Sequence, residues 1–312
     1  MIHPALLLHG LLLAGPVAPS LLQQETPSQE EEATPEAAEV TTAQALAEAT
    51  RGAQLTWEAM CKASLGDSAP ITAFHIEAKA KSRDKDQRNE GEVAYSFMAP
   101  HCVRFKISKT TEMGRSGRKK ADYWMRDKDE VITLKSKDYK ADRESIRDMA
   151  ILAQNYIALS NPKRLRLQKL EALHRAPREA RQAVGRHVKD LSWLSITSPD
   201  FALLGREDDP FATEETLYRV DFGLRPQEHE FAWTPEVVIV RTLPKAGETE
   251  ESLLLRLFEY KEKDGFRIPH QIAVHHRDYS RMGHPFKLDP TQEIWIKDVD
   301  LRAEFQVADF RP

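Results

Sequence analysis

Three stretches near the end of the chain, 253–260, 266–276 and 293–307, pack or alternate aliphatic, aromatic and β-branched residues. Lys263-Asp264-Gly265 parts the first two, and a loop holding Gly283, Pro285 and Pro290 parts the last two. A period of two bounded by turn residues predicts strands, and three in succession predict an antiparallel meander. The same signal occurs earlier at 71–80, 92–98, 103–107, 122–126 and 130–134, then at 191–196, 216–224, 231–233 and 237–241. Val93, Tyr95 and Phe97 alternate with small residues, and Val103, Phe105 and Ile107 alternate with Cys102, Arg104 and Lys106. That pattern belongs to a sheet with one face buried. Gly114-Arg-Ser-Gly117 reads as a hairpin turn between strands.

The period lengthens in two places. Thr41 and Thr42 can cap a helix that keeps Leu46, Thr50, Ala53, Trp57, Met60 and Ser64 on one face and stops at Gly66. In 142–159, Ile146, Met149, Ala150, Ala153 and Ile157 share a second helical face, and Asn161-Pro162 ends that run. Residues 163–190 are basic and mixed, with Leu165, Leu167, Leu170 and Leu173 apolar and a short helix predicted over 177–184; 161–215 as a whole reads as an irregular insertion. The fold class is therefore α+β, a large antiparallel sheet with helices packed on it. No internal repeat is visible.

The N-terminus changes the picture. Residues 5–18 form an apolar run with six leucines, Leu6, Leu7, Leu8, Leu11, Leu12 and Leu13, followed by Ala18-Pro-Ser20, a small-x-small cleavage pattern. Its length is that of a signal peptide and short for a bilayer span, so 1–20 is read as a leader, with cleavage expected between Ala18 and Glu30 and the protein periplasmic or secreted. Met-Ile-His-Pro ahead of it lacks the usual Lys or Arg, and no cysteine stands nearby to carry a lipid. Residues 21–40 hold almost no large apolar side chain and read as a disordered acidic linker, leaving 41–312 as the folded domain. The formal charge of −4 comes from this tail: its six glutamates are unopposed, and without them 45 basic side chains face 43 acidic ones. So balanced a body implies no nucleic-acid partner, and no second apolar run is long enough for a membrane span.

Candidate chemistry is sparse. His270, His275, His276 and His284 cluster in sequence, and strand parity puts His270 with His276, so that His284 and Asp278 could complete a zinc set. Exposed strand histidines are the plainer reading. Cys61 and Cys102 are an even pair in a chain read as exported, which invites a disulfide. However, Cys61 shares the helix face of Trp57 while Cys102 shares the strand face of Arg104 and Lys106, so two free thiols are expected. The basic residues between Lys163 and Arg186 could meet phosphate head groups or an acidic partner, or form a solvated surface. The chain lacks G-x-S-x-G, H-E-x-x-H and phosphate-loop motifs, and no cofactor is implied.

The order of elements resembles the lipoprotein-carrier superfamily of bacterial envelopes. Ile71-Thr-Ala-Phe74-His-Ile-Glu-Ala78 is similar to its first strand after the opening helix, Gly91-Glu-Val-Ala-Tyr95 with Pro100 and Arg104 to the next pair, and Phe305-Gln-Val-Ala-Asp-Phe310-Arg-Pro312 to its closing F-x-x-x-x-F-x-P strand. The chain departs from the family in having Ala99 rather than a basic residue before Pro100, and in the length of 161–215. The resemblance implies a half-barrel with helices on its concave face, no enzymatic activity, and a hydrophobic ligand or lipidated protein as partner. Trp57, Met60, Tyr95, Phe97, Phe105, Phe222, Leu255, Leu257 and Trp295 are the expected lining of its slot. Two other functions stay open: an envelope module binding a protein partner through its sheet, and a metal-dependent hydrolase using His270, His276 and His284.

Overall fold

The computed structural model describes residues 35–65, 71–84, 87–98, 102–112, 115–117, 121–127, 130–133, 162, 165–200, 217–243, 252–276, 286 and 289–310. Helix α1 (Pro35–Leu65) precedes the strands β1 (Ala73–Asp84), β2 (Gln87–Met98), β3 (Cys102–Glu112), β4 (Arg115–Gly117), β5 (Ala121–Asp127) and β6 (Glu130–Thr133). After β7 (Lys169–Leu173) come α2 (Arg178–Val184), a 3-10 turn (Arg186–Lys189), β8 (Ser192–Ser198), β9 (Tyr218–Leu224), β10 (Pro235–Thr242), β11 (Ser252–Lys263), β12 (Phe266–His276) and β13 (Gln292–Asp300). A last 3-10 turn spans Val307–Phe310.

Among the described residues all thirteen strands join one open antiparallel sheet, an α+β half-barrel. Its order is β6-β5-β3-β2-β1-β13-β12-β11-β10-β9-β8-β7, with β4 folded back on β3. Each half is thus a meander of neighbours in sequence, and β1 pairing with β13 joins them at the middle, His75 opposite Asp300 and Ser82 opposite Gln292. The β11–β12 hairpin turns at Asp264 (φ 54) and Gly265 (φ 81), the two consecutive positive φ angles that match strand twist in a two-residue turn.

Parity divides the side chains of the sheet between two faces. On one, Leu194 and Ile196, Val220 and Phe222, Val238 and Val240, and Leu253, Leu255 and Leu257 join Ala53, Trp57, Met60 and Cys61 of α1 in one cluster. On the other, Val237, Ile239 and Leu254 meet Ala176, Ala180 and Ala183 around α2. Strands β8–β11 are therefore buried from both sides, which explains the continuous apolar stretches of β10 (Val237–Val240) and β11 (Leu253–Leu255). Trp193 crosses Gly223 on the α2 face, where a Cβ on the glycine would stand 2.8 Å from the indole, and its Nε1 donates to the Val188 carbonyl at 2.9 Å.

Charges are also built into the α2 face. Asp221, 1% exposed, accepts from Arg241 and, at 3.1 Å, from Arg219 Nε. Arg241 reaches Glu179 of α2 at 3.4 Å. This chain of pairs ties the short helix to the sheet.

Several expectations are revised. Helix α1 begins at Pro35, inside the 21–40 stretch read as a linker. Proline suits the first turn of a helix, which begins there and not at a Thr41 cap. Over its described part, 161–215 is regular, since β7, α2 and β8 extend the sheet and cover its back. Phe231 to Trp233 form a turn with Trp233 at φ 64, not a strand, and Trp233 N and Arg225 N each donate to a carbonyl across the loop at 3.1 Å. Strand β13 stops at Asp300, and the F-x-x-x-x-F segment is a loop and 3-10 turn that packs Phe305 edge-on to Phe310 at 5.3 Å. The helix expected over 142–159 lies outside the described residues, as does the turn before β4; Arg115–Gly117 itself pairs with β3.

Candidate functional site

Trp57 and Met60 reach the sheet because they stand three apart on α1, on the face that also carries Ala53, Cys61 and Ser64. The structure brings them together with Phe222, Leu255 and Leu257 from β9 and β11, five of the nine residues expected to line a slot. They are packed as a core: Met60, Phe222 and Leu257 are each 1% exposed. Phe97 lies farther along the same face on β2, stacked on Phe74 at 5.5 Å. Tyr95 shares that face, opposite Ile76 and Phe105, and burial pushes its phenol above its ordinary range. The Phe105 side chain lies outside the described residues. Trp295 does not belong to the group, for it pairs with Lys79 and Gln271 on the opposite face, under the Lys81 ammonium at 4.6 Å.

A cavity of about 430 Å³ opens on that opposite, polar face, over β1, β2, β3 and β13. Its floor is Ala94 and Ser96 of β2, the small residues between Val93, Tyr95 and Phe97. Register sets the walls: Ser96 lies between His75 and Arg104, and Ala94 between Glu77 and Lys106. Short side chains on a central strand beside long ones on both neighbours leave a trough. His75 Nδ1 is 2.9 Å from Ser96 Oγ, and its Nε2 is 3.9 Å from Glu77. A bulge in the β1–β13 ladder inserts Lys297 between Ile296 and Asp298 and turns it toward Glu92, to which Nζ donates at 2.8 Å. The sequence signal for this trough was present in the small residues of β2, but only strand register shows what flanks them.

The remaining sequence candidates separate. His270 is buried, its Nδ1 3.0 Å from the Ile296 carbonyl, and burial pulls its pKa below the usual histidine range. The His276 side chain and all of His284 lie outside the described residues, among which no three His, Cys, Asp or Glu residues form a metal set. Cys61 packs in the α1 cluster and Cys102 on the other face with Phe310, and no disulfide joins them. In the basic stretch, Arg166 is bound twice to Asp200, by Nε at 2.9 Å and Nη2 at 2.8 Å, and Lys169 pairs with Glu171. Glu228 and Glu230 are exposed in the β9–β10 turn, while Glu207, Asp208 and Asp209 lie outside the described residues.

No family model and no curated protein matches the chain. Solved structures do. One is a LolA superfamily protein from Nitrosomonas europaea, with a TM-score of 0.41 and 11% identity over 82% of this chain and 97% of the other. Another is a domain assigned as an outer membrane lipoprotein-sorting protein, from Vibrio parahaemolyticus, with a TM-score of 0.37 and 8% identity over 83% and 94%. The similarity concerns the course of the backbone, and no residue role is carried across it. No helix among the described residues is long and apolar enough to cross a membrane.

Proposed function

We propose that this protein is a non-catalytic, exported binding protein of the cell envelope that takes an acyl chain, free or on a lipidated protein, between α1 and the apolar face of its sheet. The observation that carries the proposal is the imbalance of that interface. In its buried cluster the sheet supplies thirteen side chains and α1 only Ala53, Trp57, Met60 and Cys61. Such contact is non-directional, so another apolar body can take the helix's place. Burying Trp57 and Met60 returns roughly 3–6 kcal/mol. An acyl chain of about twelve methylenes returns roughly 10 kcal/mol at ~0.8 kcal/mol each, enough to offset displacement of the helix face. The packed interior is then the closed state, and the ligand opens it.

The test uses the two thiols as reporters on the full chain. Palmitate should raise the melting temperature with occupancy and speed maleimide labelling of Cys61, buried on the sheet-facing side of α1, while Cys102 on the other face keeps its rate. An unchanged melting temperature together with unchanged Cys61 labelling would refute acyl binding and leave the sheet as a surface for a protein partner.

A further inference from the structure

The trough on the polar face is a second site, separate from the α1 interface by the thickness of the sheet. We infer that it binds a phosphate group, held between Arg104 and Lys106 on one wall and His75 on the other. Three observations converge on that ligand. The first is shape: about 430 Å³ is within the roughly 300–1,000 Å³ of small-molecule sites, and it exists because Ala94 and Ser96 leave the floor low.

The second is charge. Arg104, Lys106, Lys297 and His75 line the trough against the carboxylates of Glu77 and Glu92. The Glu92 carboxylate is already engaged by Lys297 at 2.8 Å, and Glu77 lines the trough with its side chain 61% exposed and its carboxylate 3.9 Å from His75 Nε2, leaving Arg104 and Lys106 as two cations against one carboxylate. Arg104 and Lys106 are two apart on β3, so they rise side by side at about 6.6 Å along one wall. A guanidinium fork beside an ammonium matches the several oxygens of a phosphate better than one carboxylate.

The third is preorganisation. Ser96, 8% exposed, meets His75 Nδ1 at 2.9 Å. When its hydroxyl donates to Nδ1, the imidazole carries its proton on Nε2, as a donor to the trough. The Lys297–Glu92 pair closes the β13 end and fixes the length of the cavity.

The phosphate could belong to a soluble metabolite or to a lipid head group, and the two are separable. The full chain is titrated with glycerol 3-phosphate by calorimetry, and separately mixed with phosphatidylcholine vesicles with and without phosphatidic acid. Saturable binding of glycerol 3-phosphate assigns the soluble source; binding only to vesicles that contain phosphatidic acid assigns the head group. Either signal should fall at least about tenfold in R104A/K106A, the loss of two charge-assisted contacts. It should also be lost in Ala94→Leu, which fills the floor and leaves every charge in place. Circular dichroism melts establish that both variants fold, and Ala94→Ser serves in place of a leucine variant that does not, with a smaller loss expected. Failure of both probes to bind, or binding that Ala94→Leu leaves at the wild-type level, would overturn the site. Neither result bears on palmitate and Cys61, which report on the other face.

Discussion

Removing the Asp221 carboxylate should destabilise the protein more than most substitutions at the core. In Asp221→Ala, Arg241 remains 8% exposed with Glu179 at 3.4 Å, and Arg219 keeps its bond to Ser195 at 3.1 Å. Breaking a buried ion pair costs up to about 3–5 kcal/mol, because the remaining charges stay desolvated with one carboxylate fewer to offset them. For a domain of this size that is a fall in melting temperature of roughly 6–20 °C. The assay is urea unfolding of wild type, Asp221→Ala, Arg241→Met and the pair D221A/R241M, read by tryptophan fluorescence. The double variant should recover part of the loss, since it removes both charges. A cost for Asp221→Ala below about 1 kcal/mol, the range of exposed pairs, would refute the argument by showing that water reaches this cluster.

Three other outcomes are expected. Gly223→Ala places a Cβ 2.8 Å from Trp193 and 2.9 Å from Leu191, so it should cost about 1–3 kcal/mol in urea midpoint analysis even though alanine stiffens the unfolded chain. Alkylation of denatured protein without reductant should add two labels by intact mass, because Cys61 and Cys102 are separated by the sheet. His270, held below the usual histidine pKa first by burial, protonates in the unfolded chain near pH 6.5 before it does so in the folded one. Its contribution is therefore present above that pH and lost as pH falls toward the folded pKa, and the urea midpoint of wild type should drop more between pH 7.5 and 5.5 than that of His270→Gln.

Much of the architecture is written in local pattern. A side-chain period of two shows at β1, β2, β9 and β12 without any partner, because the apolar positions of each gather on one face whatever it pairs with. The 3.6 period similarly marked the Ala53, Trp57 and Met60 face, and the opposed faces of Cys61 and Cys102 followed from the same geometry. Local pattern misled at 231–233, where aromatic residues sit in a turn because Arg225 and Thr234 hydrogen-bond across it. It also misled at the C-terminus, where Phe305 and Phe310 bury themselves against Met98 and Cys102 without a ladder.

What tertiary structure alone decided is which strands meet. The β1–β13 pairing joins residues more than two hundred apart, and its register, with the bulge at Lys297, puts that lysine beside Glu92. Trp295 illustrates the same limit, since the pairing of β13 with β12 and β1 sets it on the polar face with Gln271 and Lys79. The trough exists only where Ala94 and Ser96 lie between His75, Glu77, Arg104 and Lys106. A sequence carries the size and polarity of each side chain, but a cavity is a property of neighbours, and long-range strand register is what chooses them.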